Sequence, residues 1–244
     1  KRADLNTERN KPGWEYEDEL ILEEKINYYI NTEKISLDEL QKRIEETDLV
    51  PSRSSLLENI KEKFLVLKEN GYATLADLRK ELKNSKNIPS ISEKIGLSAE
   101  YLTLLRREIE GYFPKAFKIS SFDWLPKRDI EKLEQKGYKN TALLFDVLNS
   151  SEKREEISTD LGIDTQTIEE LSCLVNLTRI QWVSILAAKM LVSAGYNDAK
   201  SVAEANAEKM CDGLDKVNKE NNYYKGKIGL RDVKRLVKAA SYVS

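Results

Sequence analysis

Apolar residues recur at helical spacing along nearly the whole chain. Leu37, Leu40 and Ile44 form one stripe, and Leu56, Ile60, Phe64 and Leu67 form another. Ser36-Leu-Asp-Glu39, Ser55-Leu-Leu-Glu58 and Ser90-Ile-Ser-Glu93 read as capping boxes, in which side chain and backbone satisfy each other's donors at a helix start. Pro51, Pro89, Pro114 and Pro126 fall where a helix should begin or end, never within a stripe. The pattern predicts an all-α fold. Residues 1–13 are polar and predict a frayed start, while Tyr16 to Ile30 and Leu37 to Glu46 predict an acidic N-terminal helical segment.

The helical pattern repeats. Leu67-Lys-Glu-Asn-Gly71-Tyr72-Ala-Thr74, Leu133-Glu-Gln-Lys-Gly137-Tyr138-Lys-Asn140 and Leu191-Val-Ser-Ala-Gly195-Tyr196-Asn-Asp198 share a leucine, a Gly-Tyr pair and a capping residue. Glycine after a helical stripe predicts a left-handed C-cap, and Thr, Asn or Asp three residues on predicts the N-cap of the next helix. Each unit therefore reads as helix, tight turn, helix. A second signature follows, Ile95-Gly96-Leu97-Ser98 and Leu161-Gly162-Ile163-Asp164, 25 residues after Gly71 and Gly137 respectively. Ser98 and Asp164 are the expected caps of the helices that follow. Ile228-Gly229-Leu230-Arg231 reads as the third instance, 34 residues after Gly195, displaced by an insertion over Asn218 to Tyr224. The expected organisation is an acidic segment over 1–47 and three repeats over 48–119, 120–179 and 180–244, stacked as one body because no single unit closes its own core.

The third unit, Leu177 through Tyr196, resembles a helix–hairpin–helix module: a short helix, a hairpin, and a helix ending in Ala-Gly. Two blocks, Tyr101 to Lys115 and Asp48 to Leu57, make the whole chain similar to the uncharacterised bacterial family called domain of unknown function 4332. The likeness covers most of residues 36–240. It implies tandem helix–hairpin–helix repeats and carries no established activity. Hairpins that bind nucleic acid usually carry Gly-x-Gly, whose bare amides approach a phosphate. Here the corresponding positions read Pro51-Ser-Arg-Ser-Ser55, Leu125-Pro-Lys-Arg128 and Gln181-Trp-Val-Ser184. Trp182 would crowd a phosphate, and Pro126 removes an amide donor.

Composition narrows the chemistry. The 244 residues contain no His, which excludes His-dependent hydrolases, most zinc enzymes and imidazole relays. Paired carboxylates such as Glu15 to Glu19, Glu45-Glu46, Glu155-Glu156 and Glu169-Glu170 lie in runs that read as surface, so a non-catalytic protein without metal or cofactor is expected. Cys173 and Cys211 predict buried free thiols in a cytoplasmic protein, and no apolar run predicts a membrane span. No small-molecule substrate site is evident. Trp14, Trp124 and Trp182 read as packing anchors.

Net charge is −2, distributed unevenly. Residues 1–47 carry 8 positive and 13 negative charges, 48–119 carry 13 and 10, 120–179 carry 8 and 12, and 180–244 carry 11 and 7. The C-terminal excess centres on Lys225, Lys227, Arg231, Lys234, Arg235 and Lys238. Four of these, Arg231, Lys234, Arg235 and Lys238, share one helix face and could neutralise phosphates; equally, they could form a solvated face opposite Val233, Leu236, Val237 and Ala240. Tyr223 and Tyr224 beside them could stack bases or pack as a loop. Lys127 and Arg128, at a predicted helix start, are a second candidate anion site. Arg106-Arg107 read as ordinary helical ion pairs with Glu108 and Glu110. Two functions compete: a module contacting nucleic-acid backbone without sequence specificity, and a protein-interaction scaffold that binds no nucleic acid.

Overall fold

In the computed structural model, residues 27–244 are described, and among them the chain is all helical with no strand. Residues 1–13, Trp14 and Glu15 to Glu19, for which the sequence predicts a frayed start, a packing anchor and surface carboxylates, lie outside the described residues. The predicted helix from Tyr16 does not extend over the described residues 27–30, which form a bent segment leading into α1.

The helices form two apolar cores in succession. The first contains α1 (Leu37–Glu46), a 3-10 turn over Pro51–Leu57, α2 (Ile60–Glu69), α3 (Leu75–Leu82), α4 (Ile88–Ile95) and α5 (Ala99–Glu110). Leu40, Ile44, Leu56, Phe64, Leu67, Leu75, Leu102 and Leu105 are completely buried in it. The helix over Leu37–Glu46 is thus part of this core rather than a separate preface. The second core gathers α6 (Lys127–Gln135), α7 (Thr141–Leu148), α8 (Ser151–Leu161), α9 (Thr165–Leu177), α10 (Ile185–Ser193), α11 (Ala199–Ala203), α12 (Ala207–Asn221) and α13 (Leu230–Ala240). Segments 120–179 and 180–244 therefore share one interior.

The Gly-Tyr turns explain how successive helices reverse. Gly71, Gly137 and Gly195 have φ of +89°, +98° and +90°. In each turn the tyrosine amide donates back to the leucine five residues earlier, Tyr72 to Leu67 at 3.2 Å, Tyr138 to Leu133 at 3.0 Å and Tyr196 to Leu191 at 3.0 Å. The glycine amides donate to Lys68, Glu134 and Val192. These paired bonds are a Schellman closure, which satisfies carbonyls the helix leaves orphaned. Thr74, Asn140 and Asp198 then cap α3, α7 and α11 through their side chains.

Two of the turns are tied to a preceding segment by backbone. Leu37 and Leu75 donate to Ala73 and Ile35, and Ile119 and Thr141 donate to Lys139 and Phe117. At the third turn a side chain takes the place of backbone, with Ala199 donating to Asn176 Oδ1 at 3.0 Å.

Several local expectations differ. Ser36 forms its capping box with Glu39, but Ser55 lies inside the 3-10 turn and Ser90 inside α4. Pro51–Leu57 is that turn rather than a hairpin; the left-handed residue before α2 is Asn59. Gly96 and Gly162 are left-handed C-caps as predicted, whereas Gly229 has φ −91° and starts α13. Asn222, with φ 54°, closes α12 instead, so most of the supposed insertion is helix. Cys173 and Cys211 are free thiols, half-buried rather than buried. No helix among the described residues is long and apolar enough to cross a membrane.

The bent segment before α1 crosses to the second core. Tyr28 is buried there, its Oη 2.8 Å from Thr141 Oγ1 and donating to the Thr178 carbonyl at 3.3 Å. Buried Arg179 donates to the carbonyls of Tyr28 at 3.4 Å and Val243 at 2.7 Å. Burial pushes the Arg179 guanidinium down to about 10.

Candidate binding site

The predicted basic face exists, and it closes a groove. α13 lies across from the end of α1, and between them runs a groove of about 730 Å³ lined by Glu46, Asp48, Gln181, Trp182, Arg231, Lys234, Arg235, Lys238 and Tyr242 among others. The seam between the two cores therefore forms the site. Val233 and Ala240 are buried on the opposite face of α13, which fixes the cations outward.

Most of those cations already have carboxylate partners. Arg231 forms a two-pronged pair with Asp48 at 2.5 and 2.7 Å. Lys238 donates to Glu46 at 2.6 Å and Lys234 contacts Glu208 at 3.1 Å. These bonds hold the Glu46, Asp48 and Glu208 carboxyls below the usual carboxylate range and raise Arg231 and Lys238. All six of these side chains remain well exposed.

Arg235 differs from its neighbours. Its side chain is only 19% exposed, its nearest carboxylate is Asp232 at 4.0 Å, and its guanidinium lies 4.4 Å from the centre of the Trp182 ring. Its Nε is buried without a hydrogen-bond partner.

Beneath the groove lies a polar layer. Arg43, 6% exposed, sits between two aromatic rings, 3.6 Å from the centre of Tyr112 and 4.0 Å from that of Tyr242. Such stacking replaces part of the hydration a buried cation loses, and burial still lowers its pKa. Glu108, 1% exposed, accepts from Arg53 at 2.6 Å through one oxygen. The other oxygen has no partner, and neither do Arg43 Nε, Tyr112 Oη, Gln181 Nε2 or Tyr242 Oη. Burial, reinforced by Glu108, pushes the Tyr112 phenol far up. An unsatisfied buried polar atom costs about 1–3 kcal/mol, and native folds hold few of them. Here six of them gather at one seam.

Close packing brings Gln181 here. A Cβ on Gly111 would stand 3.0 Å from Gln181 Nε2 and 3.1 Å from the Glu108 carbonyl, so α9's exit packs tightly on the end of α5. Next to Gln181, Trp182 adopts φ 71°, left-handed backbone that a bulky residue holds at a cost of about 1–3 kcal/mol. The residue is 48% exposed at the groove mouth, so it is not a packing anchor. Trp124 is closer to one: it is half-buried, and its Nε1 donates to Glu170 at 2.9 Å.

The remaining candidates lie elsewhere. Lys225 and Lys227 are exposed in the link before α13 and do not line the groove. Tyr224 is 57% exposed beside them, while Tyr223 reaches Ser193 at 3.3 Å. Lys127 and Arg128 are exposed in the first turn of α6, with Lys127 3.8 Å from Glu131. Arg106 and Arg107 do not pair with their helical neighbours as predicted: Glu108 is taken by Arg53, Glu110 by Arg79 at 2.8 Å, and Arg106 donates to the Lys83 carbonyl. Arg43, Glu46, Asp48, Glu108, Gln181 and Tyr242 were not indicated by the sequence. A bulky residue at a hairpin position suited to glycine was the one available signal, and it pointed to Trp182.

Residues 125–242 match the family model described as Domain of unknown function (DUF4332). The chain is thus similar to that family over the second core and α13. The match starts downstream of Asp48 to Leu57 and Tyr101 to Lys115, so it does not extend to those two blocks. No curated protein and no solved structure matches the chain.

Proposed function

We propose that the chain is a non-catalytic binding module of tandem helix–hairpin–helix repeats that contacts nucleic-acid backbone without reading sequence. The repeat reading is supported by the three equivalent Gly-Tyr closures at Gly71, Gly137 and Gly195. The binding reading is supported by the line of Arg231, Lys234, Arg235 and Lys238 along one groove. Their carboxylate partners are exposed, and an exposed ion pair is worth about 0–1 kcal/mol. A polyanion can therefore displace them at low salt and gain from counterion release.

The test is fluorescence anisotropy with labelled duplexes of about 20 base pairs, single-stranded DNA and RNA, at about 50 and 200 mM salt. Micromolar binding that collapses at the higher salt is expected, and Arg231→Glu with Arg235→Glu should weaken duplex binding severalfold. No binding with about 50 µM protein in low salt overturns the reading.

A second reading, a cytoplasmic protein-interaction scaffold, is favoured by the mixed charge of the same groove. Glu46 and Asp48 stand beside its cations, and Leu230 and Trp182 are exposed at its edge. Under that reading Trp182→Ala abolishes capture of a protein partner and leaves nucleic-acid binding absent throughout.

A further inference from the structure

We propose that the groove beside Trp182 is a site for a small ligand joining an oxyanion to a planar ring, the chemistry of a nucleoside monophosphate. Three independent observations converge on it.

The first is an excess of donors. Gln181, Arg235 and Tyr242 line the groove, and each carries a polar atom, Nε2, Nε and Oη respectively, that is buried beneath its surface without a partner. Arg235 is also the one groove cation with no carboxylate closer than 4.0 Å. The two acidic residues of the groove do not answer these donors, because Glu46 is held by Lys238 and Asp48 by Arg231. Glu108, the one unsatisfied acceptor nearby, lines a separate small cavity of about 90 Å³ behind Arg235 and is already bonded to Arg53. Arg235 brings to the groove a cation whose nearest carboxylate stands 4.0 Å away, and charge-assisted bonds from arginine to an oxyanion are the strong kind.

The second is Trp182 itself. A large ring is held on left-handed backbone at the groove mouth, where glycine or asparagine would fit without strain. Backbone strain of this kind concentrates at ligand sites. Arg235 stacks against the Trp182 ring, and 48% of the residue stays exposed, which leaves ring surface for a planar group.

The third is size. At about 730 Å³ the groove matches the space small-molecule sites usually offer, roughly 300–1,000 Å³. Such a ligand needs no polymer, so the inference stands apart from the strand-binding reading above.

Isothermal titration calorimetry at low salt with AMP, adenosine and inorganic phosphate tests it. AMP should bind with Kd of about 100 µM or tighter, and adenosine and phosphate each about tenfold or more weakly. Arg235→Met keeps the aliphatic stem and removes the cation that Asp232 approaches to 4.0 Å; Trp182→Gly removes the ring where glycine relieves the backbone. Both variants should melt no earlier than the parent and lose AMP affinity about tenfold or more. Absence of AMP binding at about 1 mM, phosphate binding as tightly as AMP, or AMP binding retained in both variants overturns the proposal. Duplex binding without AMP binding overturns this site alone, while AMP binding without duplex binding leaves it standing and removes the strand reading.

Discussion

Arg231 grips Asp48 with two guanidinium nitrogens across 183 residues of chain, joining the last helix to the exit of the first. Lys238 repeats the connection one step along, on Glu46. These carboxylates act as built-in competitors for any anion approaching α13. Asp48→Asn with Glu46→Gln should therefore raise duplex affinity severalfold at about 50 mM salt and steepen its salt dependence, since two cations become available. Anisotropy on the parent and double variant decides the matter; equal affinities and slopes would show that these cations take no part in strand binding.

Gly137 offers a clean measure of the turn. Its φ is +98° and a Cβ there would meet nothing within 4 Å, so replacing it strains the backbone without crowding a neighbour. Gly137→Val should destabilise by more than about 1 kcal/mol, with Gly137→Asn costing less because asparagine tolerates left-handed backbone better. Urea denaturation reads both. Equal midpoints for valine and asparagine would contradict the backbone argument.

Alkaline pH should expose the buried phenols. Tyr101 and Tyr112 are 5% and 2% exposed, their hydroxyls find no partner, and burial raises both above the ordinary value of 10.0. The unfolded chain sheds these protons as pH passes that value while the folded chain retains them, so stability falls as pH rises further. Tyr101→Phe with Tyr112→Phe keeps the rings that face Lys63 and Arg43 and deletes only the unsatisfied hydroxyls. The double variant should match or exceed the parent near pH 7 and lose less stability between about pH 9 and 11 in urea melts. Parallel losses in the two proteins would refute this.

Local chemistry made much of the fold legible. Glycine, tyrosine and a capping residue lie within four positions at Gly71–Thr74, Gly137–Asn140 and Gly195–Asp198, so one turn holds the whole signal. The same locality misled at Ser55 and Ser90, whose Ser-x-x-Glu spacing recurs inside a 3-10 turn and within a helix. Gly229 misled for the same reason, because its neighbours resemble those of Gly96 while the left-handed cap passes to Asn222. The groove was half legible. Helical spacing placed Arg231, Lys234, Arg235 and Lys238 on one face, but their partners are set by tertiary packing. Nothing near Arg43 announces that Tyr112 and Tyr242 will enclose it, since one lies beyond four further helices and the other near the last residue.

The crossing of Tyr28 into the second core has a consequence for the order of assembly during synthesis. Every side chain of the first core, Leu37 through Tyr112, precedes in the chain Thr141 and Thr178, the partners of the Tyr28 hydroxyl. The contacts of the first core are thus all made among residues synthesised before the partners that fix the Tyr28 segment. Arg179 completes the arrangement last, because its second carbonyl ligand belongs to Val243. Through Arg179 the segment ahead of the first core is joined to a stretch of chain made long after that core.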